Sequence, residues 1–378
     1  DADENQTAVD TVTATDADGD TVTFSITGGA DQSSLSIDTN TGVLSFNSAP
    51  DYETQASYSI IVTASDGTNS RDQSITIAVN NLNDNDPVFT SAANFDADEN
   101  QTAVDTVAAT DADGDAVTFS ITGGADQSSL SIDTNTGVLS FNSAPDYETQ
   151  ASYTIVVTAS DGTNSTDQTV AITVNNLNDN NPVFTSATTF TADENQTAVD
   201  TVTATDLDGD TVTFSLGGTD AASFTLDSST GVLAFVSAPD YETQASYSIV
   251  VTASDGDGGT TDQSITVSVN NLNDNDPVFT NNGPFNIDEG STALGTLAAS
   301  DADGDTVSFS LSGTDASYFD LDAASGVLAF SSASDYETQA SYSVIATASD
   351  GTRSTDAAVT ITLNNLNDTP PVFVSPAG

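Results

Sequence analysis

The sequence predicts an all-β protein: four tandem seven-stranded Greek-key β-sandwiches of immunoglobulin-like type, arranged as a linear rod. Three observations carry that prediction. The chain of 378 residues repeats itself, with Asp3-Glu4 returning as Asp98-Glu99, Asp193-Glu194 and Asp288-Glu289 at a spacing of 95 residues, and such a period marks an array. Apolar and polar residues alternate in short runs rich in Val, Ile, Thr and Tyr, the pattern of half-buried antiparallel strands. Turn signals from Gly, Asn and Asp separate those runs every 8–12 residues, as in a sandwich. No window has a convincing helical period.

In repeat 1 the expected strands run in order. Val12 and Ala14 alternate before Asp16, and Val22, Phe24 and Ile26 follow it. Leu35 and Ile37 form a short strand, Asn40-Thr-Gly42 turns, and Leu44 and Phe46 come next. Tyr58, Ile60, Val62 and Ala64 make a longer strand, then Ile75, Ile77 and Val79 close the repeat. Tyr52 and Tyr58 read as packing residues. Asp20, Asp31 and Asp38 read as turn formers, and Asp72 and its counterparts as solvated strand positions.

A polar stretch joins successive repeats: Asn81-Leu-Asn-Asp-Asn-Asp-Pro87, then Asn176–Pro182, Asn271–Pro277 and the weaker Asn365–Pro371. Each precedes Pro-Val-Phe, which reads as the start of the next repeat's first strand. The expected domains are 1–86, 87–181, 182–276 and 277–370, with 371–378 a first-strand lead for a following repeat or a neighbouring molecule. Asp-Tyr-Glu triplets at Asp51, Asp146, Asp240 and Asp335 hold the same period to within one residue.

The charge is extreme, with 57 acids against two bases, Arg71 and Arg353, and no Lys or His, for a net charge of −55. Nucleic acid and anionic membrane surfaces are excluded as electrostatic partners. A salt-adapted acidic surface would scatter its acids. Here Glu4, Asp16, Asp18, Asp51, Glu53, Asp66 and Asp84 sit at fixed motif positions, seven in each of four repeats, so 28 of the 57 are placed. There is no Cys, so neither disulfides nor thiolate chemistry contribute. With no His, Cys or Lys, nucleophile–base pairs are unavailable and an enzyme is not expected. No apolar run approaches the roughly 20 residues of a membrane-spanning helix, so membrane insertion is not expected.

The recurring acids and amides are hard oxygen ligands, which suit calcium, and nothing is offered for zinc or copper. An EF-hand fails, because Asp16-Ala-Asp-Gly-Asp20 has its Gly too early and Thr27 where the bidentate Glu belongs. The ligands must therefore converge from separate loops. The order Asp-Glu-Asn, Ala-Thr-Asp-Ala-Asp-Gly-Asp, Ile-Asp-x-x-x-Gly-Val-Leu, Asp-Tyr-Glu, Ala-Ser-Asp-Gly, Asn-x-Asn-Asp-Asn-x-Pro-Val-Phe resembles the cadherin repeat. It is most similar to bacterial cadherin-like arrays, and the match extends over essentially the whole chain.

That resemblance implies about three Ca²⁺ ions per junction. At the first, Glu4, Asp51, Glu53 and Asp84 would surround the outer ion. Glu4, Glu53, Asn81, the Leu82 carbonyl, Asp84 and Asp113 would hold the middle one. Asn83, the Asn85 carbonyl, Asp111, Asp113 and Asp161 would hold the third. The second junction would use Glu99, Asp146, Glu148, Asn176, Asn178, Asp179 and Asn180 with Asp206, Asp208 and Asp255. The third would use Glu194, Asp240, Glu242, Asn271, Asn273, Asp274 and Asn275 with Asp301, Asp303 and Asp350. The family's linker usually starts with Asp, whereas Asn81, Asn176, Asn271 and Asn365 stand here, so a weakened middle site is expected. Thr369 replaces an Asn that would give only its carbonyl.

The function so implied is a calcium-dependent extracellular rod or filament at a bacterial surface, stiffened at its junctions and joined head to tail to further repeats or copies. The alternative is a calcium-dependent adhesin that binds itself or cell-surface proteins or glycans. A head-to-tail polymer would place residues 371–378 in the opening strand of repeat 1 of the next molecule. Glu289, Asp335, Glu337, Asn367 and Asp368 would then meet Asp16, Asp18 and Asp66 in a further calcium site.

Overall fold

The computed structural model describes residues 1–372. They form two compact units, Asp1–Asn178 and one that begins at Asp179. The tail from Phe373 onward, on which most of the expected first-strand lead falls, lies outside the described residues.

In the first unit the sandwich over residues 88–175 shows the plan. A four-stranded sheet runs Thr118–Gly123, Ser152–Ser160, Ser165–Asn175, Asn94–Asp98, and a three-stranded sheet runs Ala103–Thr106, Val138–Phe141, Leu130–Ile132. The alternation of the long strands decides their faces. Ile155, Val157 and Ala159 point inward with no exposure, and Val170, Ile172 and Val174 answer from the neighbouring strand. Leu139 and Phe141 close the core from the opposite sheet. Each such large apolar side chain contributes roughly 1.5–3 kcal/mol by leaving water.

The opening strand is shared between the sheets. Val88–Phe89 pairs antiparallel with Ala109–Thr110, and Asn94–Asp98 then pairs parallel with the last strand, Ala97 opposite Val174. That parallel ladder departs from the all-antiparallel reading of the alternation, because register partners are set by the crossover between sheets and leave no trace in a period of two.

The earlier sandwich of this unit repeats the plan. Its four-stranded sheet is Thr23–Gly28, Ser57–Ser65, Ser70–Asn80 and Ala2–Asp3, and its three-stranded sheet is Ala8–Thr11, Val43–Phe46 and Leu35–Ile37. Five of the six expected strands fall where the alternation puts them. The one expected around Val12 and Ala14 does not: the strand is Ala8–Thr11, and residues 12–15 carry no ladder. In the next repeat Ala109–Thr110 is held in strand geometry by Val88–Phe89 across from it, and among the described residues none faces residues 14 and 15 in that way.

The second unit holds two more sandwiches of the same order, with long hairpins Ser246–Ser254/Thr260–Asn270 and Ser341–Ser349/Ser354–Asn364. Short 3₁₀ turns, Ala221–Ser223 and Ala316–Tyr318, are the helical elements among the described residues. Neither was visible as a periodic signal, being a single turn each. One glycine per repeat fixes the turn between the third sheet's short strands. At Gly137, φ is +72° and a Cβ would meet the Val107 carbonyl oxygen at 2.0 Å. No helix among the described residues is long and apolar enough to cross a membrane.

Candidate metal centres at the sandwich ends

Each site is organised by one buried glutamate. Glu4 is 1% exposed, and its carboxylate accepts from the Tyr52 N–H at 2.7 Å and the Leu82 N–H at 2.6 Å. The Asp-Tyr-Glu loop and the linker are thereby tied to the end of the first strand. The same clasp recurs from Glu99 to Tyr147 and Leu177, from Glu194 to Tyr241 and Leu272, and from Glu289 to Tyr336 and Leu366. A carboxylate buried this deeply is held by charge-assisted bonds to main-chain donors.

The second anchor comes from the following sandwich. Asp113 Oδ2 accepts from the N–H groups of Asp84 and Asn85 at 3.0 and 2.9 Å, so the linker is gripped from its other side. Asp303 grips Asp274 and Asn275, and Asp208 grips Asp179 and Asn180, at 2.8–3.0 Å. As a result one oxygen each of Glu4, Glu53, Asp84 and Asp113 lie within 4.8 Å of one another in the first unit. Glu194, Glu242, Asp274 and Asp303 form the same group in the second. Glu99, Asp146 and Glu148 gather at the far end of the first unit, where Asn176 and Asn178 are exposed.

Four carboxylates so close repel one another, and the protonation equilibria register it. Glu53 is pushed above the usual Glu range by desolvation and then by the charges of Glu4 and Asp113; Glu242 is pushed up likewise beside Glu194 and Asp303. Desolvation pushes Asp113 and Asp303 the same way, yet the donated linker bonds outweigh it and hold both below the ordinary value. The Asn85 amide nitrogen sits in the middle of the group, donating to Asp84 Oδ1 and Asp113 Oδ1 at 2.9 Å and to Glu53 Oε2 at 3.3 Å. Asn275 does the same with Glu242, Asp274 and Asp303. A partly positive NH₂ group occupies the place a cation would favour.

The loops carrying Asp161 and Asp350 tie up only one carboxylate oxygen. Asp161 Oδ1 accepts from Thr163 and Asn164, and Asp350 Oδ1 from Thr352 and Arg353. The other oxygen of Asp350, with Asp301 Oδ2 and Asn273 Oδ1 of the same unit, is buried without a hydrogen-bond donor. Asp111 Oδ2, Asp206 Oδ2 and Asp255 Oδ2 are in the same condition. Buried acceptors without donors are costly, and an oxygen-binding cation would satisfy them. The donor set therefore fits calcium. In repeat 1, Asp16 and Asp66 likewise bond their own loops, to Asp18 N–H and to Thr68 and Asn69 N–H. Asp51, Asp240 and Asp335 accept from the threonines three residues on. Asn81 and Asn271 donate to the carbonyls of Asp113 and Asp303, and Asn365 to Glu337. Asn367 and Asp368 are exposed.

Two features were missed in the sequence. The Asn164 amide donates to Asn83 Oδ1 at 2.9 Å and to the Asn85 carbonyl at 3.3 Å, across the set expected for the third ion. Asp31, read as a turn former, instead clamps the Gln55 amide and the Ser59 N–H, as Asp126 does for Gln150 and Thr154. The spacing of Asp31 to Gln55 within every repeat was the available signal. Asp38 does form its expected turn with Asn40 and Thr41.

The cadherin domain family model matches residues 1–80, 93–175 and 188–270. Protocadherin Fat 4 of Mus musculus is 36% identical over 291 residues, covering 72% of this chain and 6% of its own length. Cadherin-related family member 2 of Mus musculus is 32% identical over 302 residues, covering 71% of this chain and 23% of its own. This chain thus spans under a quarter of either relative. Among solved structures, protocadherin gamma B2 extracellular cadherin domains 3–6 superpose with a TM-score of 0.70 at 21% identity over 97% of both chains. The protocadherin gammaB7 EC3-6 cis-dimer structure gives 0.74 at 24% identity over 95% of both. These two likenesses establish the fold. With the family model matching well over half the residues, the chain belongs to the cadherin family.

Proposed function

We propose that the chain is a calcium-dependent extracellular structural array whose repeat junctions are stiffened by Ca²⁺. The observation that supports it is the convergence of Glu4, Glu53, Asp84 and Asp113 from two sandwiches and the linker between them. Without a cation these groups repel. With one they become shared ligands that hold adjacent repeats in one orientation. Cadherin repeats as a class bind Ca²⁺ at such junctions, and hard oxygen sites of this kind match millimolar extracellular calcium. The reading takes the domains as 1–86, 87–181, 182–276 and 277–370, with about three ions per junction held by the ligand sets given above. The array extends head to tail, through further repeats or further copies.

Small-angle scattering in millimolar calcium and in excess chelator tests this. Sandwiches of roughly 40–45 Å each, from strands rising about 3.3 Å per residue, should give a stiff particle about 170 Å long in calcium. In chelator the profile should become that of a flexible chain. An unchanged profile would leave the acids as a solvated surface.

A further inference from the structure

The first sandwich carries an apolar groove that the other three fill with their own chain. It is a cavity of about 500 Å³ between residues 12–16 and 62–73, floored by Val12, Val22, Phe24, Val62 and Ala64. In the later repeats a Val-Phe strand runs along this position, in one register: Phe89 opposite Ala109, Phe184 opposite Ala204, Phe279 opposite Ala299. Its phenylalanine packs on the core, with Phe184 6.3 Å from Phe214 and Phe279 6.1 Å from Phe309, ring centre to ring centre. Burial follows the strand. Val107, Ala159 and Val170 of repeat 2 are at most 1% exposed, as are Val202, Ala253 and Ile265 of repeat 3, whereas their counterparts Val12, Ala64 and Ile75 are only half-buried. Gln263 donates to the carbonyls of Ser186 and Ala187 just beyond that strand, and Gln73 stands at the same place beside the groove.

We propose that this groove is a strand-acceptor site, filled by the segment from Pro371 to Ser375 of a second copy of this chain. The segment Pro371-Val-Phe373 repeats the Pro-Val-Phe of residues 87–89, 182–184 and 277–279. In the shared register Val372 of the donor lies opposite Thr15, Phe373 lies opposite Ala14 and stacks near Phe24, and the N–H of residue 374 donates to the Thr13 carbonyl, as Thr90 does to Ala108 at 2.8 Å. Main-chain pairing supplies affinity and the phenylalanine pocket supplies specificity. This deepens the head-to-tail part of the proposed function and does not depend on its calcium part.

The test is sedimentation velocity of the full chain over a concentration series at fixed millimolar calcium, with Phe373→Asp and Ala14→Glu variants. Ala14 is exposed, so its replacement leaves the sandwich folded. The parent chain should form concentration-dependent oligomers, each variant alone should stay monomeric, and an equimolar mixture of the two should stop at dimers, because one retains the groove and the other the donor segment. A fluorescein-labelled peptide with the sequence of residues 371–378 should bind the Phe373→Asp chain and not the Ala14→Glu chain. Oligomers that persist in both variants, or a parent that stays monomeric and fails to bind the peptide, overturn the proposal. Chelator is kept out, so failure here leaves the scattering test of calcium stiffening untouched.

Discussion

Two glutamates of one cluster should respond to the same substitution with opposite signs. Glu194 is 1% exposed, and its two oxygens accept from Tyr241 and Leu272 N–H at 2.8 and 2.6 Å. Gln in its place keeps one acceptor and turns an NH₂ toward the other donor. A hydrogen bond to a charged group is worth about 1.5–3 kcal/mol, so Glu194→Gln should cost about 2 kcal/mol even in chelator. For a sandwich of this size that lowers the melting temperature by roughly 4–8 °C. Glu242 lies at the exposed rim of the same cluster, and desolvation together with the charges of Glu194 and Asp303 disfavours its ionised form. Glu242→Gln should therefore leave the melting temperature in chelator unchanged or raise it. In calcium both variants should lose most of the metal-induced rise in melting temperature, since each removes a carboxylate ligand. Calorimetric melts of the parent and both variants, with and without calcium, make the comparison. The reasoning is refuted if Glu242→Gln destabilises the chelated protein as much as Glu194→Gln does.

Other perturbations test other parts of the structure. Gly137→Ala forces a Cβ to within 2.0 Å of the Val107 carbonyl at a φ of +72°; it should destabilise its sandwich by more than about 1 kcal/mol, read by urea unfolding. At Gly259 a Cβ would lie 2.0 Å from Asp255 Oδ2, so Gly259→Ala should displace that oxygen and weaken calcium binding in titration calorimetry. The turn aspartates Asp38, Asp133, Asp227 and Asp322 are held below the usual carboxylate range by N–H and hydroxyl donors of their own turns. A lowered folded-state value means their stabilisation is complete above the unfolded value near 3.8 and is lost as pH falls through the folded one. Asp227→Ala should accordingly lower the melting temperature at pH 7, with the difference from the parent shrinking below pH 4. A difference that stays constant to pH 2 would contradict this.

The sequence by itself determined the repeat, the strand positions and the identity of the acids that meet at the sandwich ends. Those properties are local or periodic. Alternation at a period of two marks which side of a strand is buried, and 28 acids at fixed positions cannot be a scattered surface. Tertiary structure alone decided what those residues touch. The opening strand divides between two sheets and pairs parallel with the last one, because a crossover and its register are set by distant partners. Glu4, Glu99, Glu194 and Glu289 become buried clasps through main-chain donors nearly 50 and nearly 80 residues away. Asp31 left its expected turn for Gln55 and Ser59, across the sheet, and the Asn85 amide came to rest among carboxylates. Residues 12–15 show the limit most plainly. Their alternation matches that of residues 107–110, yet only the latter form a strand, because ladder hydrogen bonds need a second chain segment to receive them.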